Sequence, residues 1–225
     1  NVYSIESLDN SIDPCLLKEL LNKNVTLLYA FNNNALEIKK FENNLGYSVS
    51  YVDEKVLFIK KLSSADMETV DTNIYTNQWC EADLPFLEKL AIASGEYSRF
   101  YLDPKINKKI GDELYRTWLF KSLSLELADE VYISKKGNEP SGLLTCDFSN
   151  DEAKVGLLAI DIKFRGQGIA SELLVHLENR CKLWGIKKII IPTQRVNKNA
   201  CNFYLKGGYS EVESSFIYHC RKPNG

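Results

Sequence analysis

The chain has 225 residues, 44% of them hydrophobic, 26% charged and 11% aromatic, a balance that excludes a disordered or collagen-like chain and supplies enough apolar material for a sizeable core. The formal net charge is -2, the sequence pI is near 5.9, and lysines and arginines are scattered among the acids, so no basic face for nucleic acid is expected. Six cysteines stand far apart, with no CxxC pair and no histidine at zinc-ligand spacing; no metal is expected, and the thiols read as reduced and mostly buried.

The first residues have neither the basic start nor the apolar run of a signal peptide, and no stretch approaches the roughly 18 continuous apolar residues of a membrane span, so a cytoplasmic location without a membrane partner is the expectation. In chain order, 25–31 reads as a strand, Asn32-Asn33-Asn34 as a turn, the stretch holding Ala35, Leu36, Ile38 and Phe41 as a helix, and 56–59 as a strand after Leu45-Gly46-Tyr47. Residues 84–93 form a helix begun near Asp83 and Pro85, and 106–127 a longer one with Leu114, Trp118, Leu119 and Leu123 on one face. Segments 130–134 and 142–147 pair as a hairpin around 136–140.

From residue 151 the pattern sharpens. The apolar run 155–160 is followed by a glycine-bearing turn and by a helix whose Ile169, Ala170, Leu173, Leu174, Leu177, Cys181 and Trp184 keep helical spacing up to Gly185. Residues 187–193, with Ile189-Ile190-Ile191 at the centre, are a buried strand. Residues 197–206 are a short helix stopped by Gly207-Gly208, and 209–213 and 216–221 read as two closing strands joined by a serine-rich turn. The series strand, Asn turn, helix, Gly-Tyr, strand thus occurs twice, near 25–59 and near 189–218. Aligning the Gly-Tyr pairs puts Phe41 on Phe203 and Glu42 on Tyr204, so the first copy lacks the phenol, and no glycine-rich turn precedes it. Packing or substrate shaping, without chemistry, is expected there.

A glycine-rich turn between a buried strand and a helix exposes backbone N–H groups at the positive end of the helix dipole, which makes a cradle for pyrophosphate. Arg165-Gly166-Gln167-Gly168-Ile169-Ala170 has that form: two glycines allow close approach, Ala170 keeps the first turn slim and Arg165 adds positive charge. The Gly-Lys-Ser/Thr ending of a Walker A loop is absent, and so is the spacing of a dinucleotide fingerprint. The same letters also suit a plain helix start with glycines for tight packing. On the next strand–helix unit, Asn197, Ala200 and Tyr204 fall on one helix face, ahead of Gly208-Tyr209.

Together these residues resemble the GNAT superfamily of acetyltransferases, whose Arg/Gln-x-x-Gly-x-Gly/Ala motif is matched by Arg165, Gly168 and Ala170 and whose later helix carries Asn, Ala, Tyr and Gly-aromatic in this order. Ser98-Arg99-Phe100, Tyr115 with Trp118, Gly156-Leu157-Leu158, Thr193-Gln194 and Tyr218-His219 are similar to the TDP-fucosamine acetyltransferase group, which N-acetylates a nucleotide-linked 4-amino-4,6-dideoxy sugar; Cys220 departs from that group's pattern. The resemblance implies an α/β fold with a mixed, mostly antiparallel sheet flanked by helices. It also implies a degenerate half-GNAT over 1–64, a catalytic domain over 65–225, and acetyl-coenzyme A as co-substrate. The backbone of Leu158, Ala159 and Ile160 would take the pantetheine arm and thioester, Arg165, Gly166, Gln167, Gly168, Ile169 and Ala170 the pyrophosphate, and Asn197 a further cofactor contact or simply the helix cap.

The implied reaction is direct attack of a neutral amine on the thioester, with the leaving thiolate protonated by Tyr204, a phenol whose ordinary pKa of about 10 lies above a thiol's. Tyr204 also suits plain packing. Arg99, Tyr115, Trp118, Thr193 and Gln194 are the candidate acceptor contacts, Arg99 as a guanidinium for a diphosphate or as one half of a surface ion pair, and Tyr115 and Trp118 as stacking surfaces or core. Cys181 and Cys201 read as structural. His176 reads as a solvated helix-surface residue, and neither it nor His219 recommends itself as base. The expected partner is a small-molecule amine, a nucleotide sugar by resemblance, and a homodimer is compatible with this reading. Acetylation of a protein N-terminus, polyamine or aminoglycoside, and a non-catalytic acyl-coenzyme A-binding module, stay open.

Overall fold

The computed structural model describes residues 2–6, 23, 25–35, 38–63 and 73–222. Nine strands among them form one mixed sheet: β1 (Val2–Glu6), β2 (Leu27–Asn32), β3 (Ser48–Lys61), β4 (Ile74–Thr76), β5 (Glu130–Lys136), β6 (Glu139–Ser149), β7 (Glu152–Ile160), β8 (Lys188–Gln194) and β9 (Ser210–Arg221). Their order across the sheet is β1-β2-β9-β3-β8-β7-β6-β5-β4, antiparallel except where β1 meets β2 and β7 meets β8. The helices are α1 (Ile38–Leu45), α2 (Leu84–Ser94), α3 (Arg99–Leu102), α4 (Lys108–Leu123), α5 (Ile169–Leu183) and α6 (Lys198–Lys206). This is the mixed, mostly antiparallel α/β sheet flanked by helices that the resemblance implied. Among the described residues no helix is long and apolar enough to cross a membrane.

Strand alternation divides the core in two. Leu144, Val155 and Ile191 point to the side covered by α5 and α6, where they meet Leu173, Leu177, Tyr204 and Phe58. Ile133, Leu143 and Leu157 point to the other, where Leu87 and Leu90 of α2 and Leu119 of α4 cover them.

Several elements differ from the sequence expectation. The two closing strands are one continuous β9, because β3 lies beside it from Ile59↔Ser210 to Ser48↔Arg221 and gives Ser214 and Ser215 partners in Val56 and Lys55 instead of a turn. β3 itself reaches well beyond 56–59 for the same reason, with irregularities at Tyr51/Asp53 and Leu57/Phe58 absorbing the extra residues. The helix expected over 106–127 is trimmed to α4. Asn107 caps it by accepting from the Lys109 amide at 3.0 Å, and Leu125, at φ 60°, lies in the left-handed region beyond its end. Ser98 stands at the N-cap of α3, which Arg99 and Phe100 begin. His176 is not solvated: half-buried, it packs edge-on against Tyr132 at 4.7 Å, its Nε2 is 3.1 Å from Thr76 Oγ1, and burial lowers its pKa. Cys15 and Leu36 lie outside the described residues; Cys146, Cys181, Cys201 and Cys220 are buried free thiols, and Cys80 is exposed.

The series β1-β2-α1-β3 and β7-β8-α6-β9 each contain a parallel strand pair, a helix and a long antiparallel strand, and each long strand pairs with the other series' second strand, β3 with β8 and β9 with β2. A Gly-Tyr pair follows the helix in both: Tyr47 donates to the Val25 carbonyl at 2.7 Å, and Tyr209 donates to Glu178 at 3.1 Å. Glu178 on α5 also receives Lys60 of β3 at 2.8 Å through both carboxylate oxygens.

Phe58 is fully enclosed and sits 5.5 Å from the Tyr204 ring, so Phe58→Ala is expected to cost about 3–5 kcal/mol in urea unfolding. Asp53, next to the first irregularity of β3, is 4% exposed with one carboxylate oxygen unpartnered. Burial raises its pKa against the opposing amides of Glu54 and Val196. The folded state therefore binds this proton more tightly than the unfolded chain, and Asp53 subtracts stability as pH rises from about 4 through its folded value. Thermal unfolding of Asp53→Asn against the wild type should show the variant gaining relative stability as pH rises through that window; a difference that does not change with pH would contradict the assignment.

Candidate functional site

β7 and β8 pair only at Glu152↔Lys188, Ala153↔Ile189 and Lys154↔Ile190, although β7 runs on to Ile160 and β8 to Gln194. Each is held away from the other by its outer neighbour. On β7 the register against β6 slips between Leu144/Leu158 and Cys146/Val155, and the Leu157 amide donates to Thr145 Oγ1 at 2.9 Å instead of to a carbonyl in the ladder. Gly156 allows this close approach, since a Cβ there would lie 2.8 Å from Thr145 Oγ1 and 3.6 Å from Trp118 Nε1. β8 pairs along its whole length with β3, and Arg195 just beyond it binds Glu54 of β3 at 3.0 Å and Glu211 of β9 at 2.6 Å. The result is a fork whose β7 edge is free to pair with an extended ligand. Leu158 and Ile160 pack their side chains into the α5–α6 core and Ala159 into the opposite one, which leaves their backbone at the fork.

The turn after β7 is fixed by Asp161. Its amide donates to the Ser141 carbonyl at 2.9 Å, its carboxylate accepts from the Lys163 amide at 2.9 Å, and Lys89 of α2 pairs with it at 2.9 Å. The Lys163 amide first, then Lys89, holds its pKa below the usual carboxylate range. Gly166 (φ 79°) and Gly168 (φ 84°) follow in left-handed conformations, and Gly166 faces open space. Gly168 caps α5 with no side chain, so the first-turn amides have neither an intrahelical acceptor nor a cap. Ile169 is buried and anchors the helix start, Ala170 is half-buried, and Arg165, Gly166, Gln167 and Gly168 are exposed. Arg165 Nε bonds the Ile160 carbonyl at 3.3 Å, which ties the turn to the strand end. These residues fit a diphosphate: exposed amides at a helix N-terminus, a clear approach and one guanidinium.

Across the fork, Asn197 caps α6 by accepting from the Ala200 amide at 3.1 Å, so its side-chain oxygen is engaged by the helix. Tyr204, one helical face further on, is 5% exposed between Phe58 and Phe203, both at 5.5 Å, and Tyr209 at 6.1 Å. Burial pushes its phenol pKa up, with Cys201 a lesser cause.

Of the acceptor candidates, Arg99, Tyr115 and Trp118 come together on the side of the sheet opposite α6. Tyr115 stacks on Trp118 at 6.0 Å and on Tyr101 at 6.1 Å, and Arg99 acts electrostatically on Tyr115. Gln194 pairs with Lys55, whereas Thr193 pairs with Val56 and is buried on the α6 side, so these two neighbours face opposite ways. The sequence reading passed over Tyr29, Phe31, Asp53, Asp103 and Arg221 and discounted His219, all of which lie near Arg99 or at the end of the fork. The available signal was in β9, where alternate positions 219 and 221 carry His and Arg within an otherwise apolar ending. Among the described residues no group of three His, Cys, Asp or Glu is placed to hold a metal ion.

Comparison with known proteins agrees with this geometry. The Acetyltransferase (GNAT) family matches residues 91–209. The spore coat polysaccharide biosynthesis protein SpsD of Bacillus subtilis is 27% identical over 131 residues, covering 58% of this chain and 45% of that protein. An uncharacterized N-acetyltransferase of Methanocaldococcus jannaschii is 27% identical over 135 residues, covering 57% and 56%. The chain thus spans about half the length of the curated relatives it matches. A solved protein of unknown function from Staphylococcus epidermidis shares the fold, with a TM-score of 0.65 at 14% identity over 98% of this chain and 84% of that one. Since the matched residues take in more than half of the sequence, the chain belongs to the GNAT family of acetyltransferases, enzymes that transfer the acetyl group of acetyl-coenzyme A.

Proposed function

We propose that this acetyltransferase N-acetylates a nucleotide-linked amino-deoxy sugar by direct attack of the amine in a ternary complex. The observation that carries the reading is that the fork between β7 and β8 joins two separate surfaces. On one side is the uncapped glycine turn at the head of α5; on the other are Arg99 and the stacked Tyr101, Tyr115 and Trp118. An aromatic stack with a guanidinium beside it suits a base or sugar ring and a phosphate. The similarity to a protein named for spore coat polysaccharide biosynthesis supports a sugar acceptor. The same reading has the enzyme working in the cytoplasm. It takes 1–64 as a decayed half-GNAT whose β3 completes the sheet of the catalytic domain at 65–225.

Acetyl-coenzyme A supplies the activated acetyl group. The backbone of Leu158, Ala159 and Ile160 aligns the thioester along the β7 edge, and the amides of residues 167–170 with Arg165 hold the diphosphate. The neutral amine of the acceptor forms the new C–N bond as the C–S bond breaks, Tyr204 gives its proton to the departing thiolate so that coenzyme A leaves as the thiol, and the proton that the nitrogen sheds on becoming an amide returns through water to the phenolate. A buried phenol, protonated up to at least about pH 10, is always charged with that proton at working pH.

Calorimetric titration of acetyl-coenzyme A into the protein, followed by thiol release on adding TDP-linked amino sugars, tests the reading; binding with release only on polyamines or peptides would replace the acceptor. Tyr204→Phe should lower turnover by about a hundredfold or more with little change in cofactor affinity, and an unchanged kcat would remove Tyr204 from the chemistry. Gly168→Val places a β-branched residue at φ 84° and is expected to weaken acetyl-coenzyme A binding by about tenfold or more in the same calorimetric assay.

A further inference from the structure

Beside the fork, α3 closes over a cluster of charged groups that the transfer step does not use. The guanidinium carbon of Arg99 lies 4.5 Å from the ring centre of Phe100, 4.9 Å from Tyr29 and 5.5 Å from Phe31. Its Nε is buried with no hydrogen-bond partner, and among the described residues no carboxylate is within ion-pair distance of it. The Tyr29 ring also packs on His219 at 4.7 Å. His219 is fully enclosed, its Nδ1 on Asp103 and its Nε2 buried and unpartnered. Arg221 binds the same Asp103 through Nη2, while its Nη1 is likewise buried without a partner.

Burial alone would raise the pKa of Asp103, but Arg221 and His219 outweigh it and keep the group a carboxylate. Burial lowers the pKa of His219 against the pull of Asp103. The cluster therefore holds two guanidiniums and one carboxylate, which Arg221 engages and Arg99 does not, with a neutral imidazole and the phenols of Tyr29 and Tyr115 around them. Cations withdrawn from water are ordinarily paired, and Arg99 Nε and Arg221 Nη1, two buried guanidinium donors without acceptors, leave a deficit of negative charge, whereas the neutral His219, whose Nδ1–H goes to Asp103, keeps Nε2 as an acceptor.

We propose that Arg99 and Arg221 form a binding pocket for a phosphate or diphosphate group of the acceptor, with His219, Asp103 and Tyr29 as the positioning residues that hold the two guanidiniums in place. The pocket deepens the acceptor reading above and rests on it for the molecule that carries the phosphate. Its position is consistent with a distal arm. Gln194, at the end of the fork, is level with Lys55 and Ser215. His219 lies four residues further along β9, two strands away from β8, which strand spacing puts at about 16 Å between main chains. A phosphate seated there belongs to a part of the acceptor that lies away from the fork, remote from the reacting amine. Because the pocket combines Tyr29 and Phe31 of β2, Arg99 and Asp103 around α3, and His219 and Arg221 of β9, it exists only where the first and last segments of the chain meet.

The test is titration of inorganic pyrophosphate into protein already saturated with coenzyme A, which occupies the glycine turn and removes that site from the readout. The wild type is expected to bind with Kd on the order of 100 µM. Arg99→Met should weaken this by about tenfold or more with coenzyme A affinity unchanged, and Arg99→Lys, which keeps the cation, should retain a larger share. Absence of pyrophosphate binding in the saturated wild type, equal binding by Arg99→Met, or tighter binding of malonate than of pyrophosphate would each overturn the proposal. Failure of coenzyme A to bind would instead count against the acetyl-transfer reading, and the Arg99 dependence would then be read on the chain without coenzyme A.

Discussion

The position of β3 governs the rest of the molecule. Inserted between β8 and β9, it fixes the outer edge of β8 so that this strand cannot follow β7 beyond their third pair, and the fork remains open. Lys60 carries the constraint into the helical layer through Glu178, which Tyr209 also contacts, so one buried carboxylate ties β3, α5 and the start of β9 together. An isolated buried charge would be costly, and this one is compensated by a bidentate lysine and a phenol. Phe58, from the same strand, forms one wall around Tyr204. A segment that looks like a spare half-copy therefore shapes the site from within the sheet.

The glycine-turn side of the fork is organised by local rules and the Arg99 side by long-range contacts. Asp161, Gly166, Gly168 and Ile169 are close neighbours in sequence; their turn needs one paired carboxylate, two residues with positive φ and one buried anchor. Arg99, Tyr29 and His219 come from three distant segments, and their arrangement depends on α3 lying over the junction of β2, β9 and β3. The two sides meet at Trp118, whose indole covers the Gly156 irregularity of β7 and stacks on Tyr115.

This contrast explains what could be read from sequence. The strand, glycine turn, helix and strand from 152 to 194 follow from apolar periodicity and punctuation by glycine, and the turn that exposes its backbone at the head of α5 was legible there. The single β9 was hidden because Ser214 and Ser215 carry the composition of a turn, and only the presence of β3 alongside makes them strand. His176 was misread since its helical phase points away from the main apolar stripe, and the surface it meets is made by β4 and Tyr132. The cluster around Asp103 left almost no local signal, because each of its members is unremarkable beside its own neighbours in the chain.

The exchange of long strands between the two series also has a consequence for how the chain is assembled. β3 is made early, yet its partners are β8 and β9, whose first residues lie well over a hundred positions later in the chain. Pairings of such high sequence separation carry a large loop-closure entropy and fold slowly. During synthesis β3 must wait, with Val56, Phe58 and both of its edges uncovered, until residues 188–221 have emerged from the ribosome. The segment that carries β3 therefore depends on residues 188–221 for both of its neighbours, and the same waiting period exposes β3 to the β8 and β9 of a neighbouring copy.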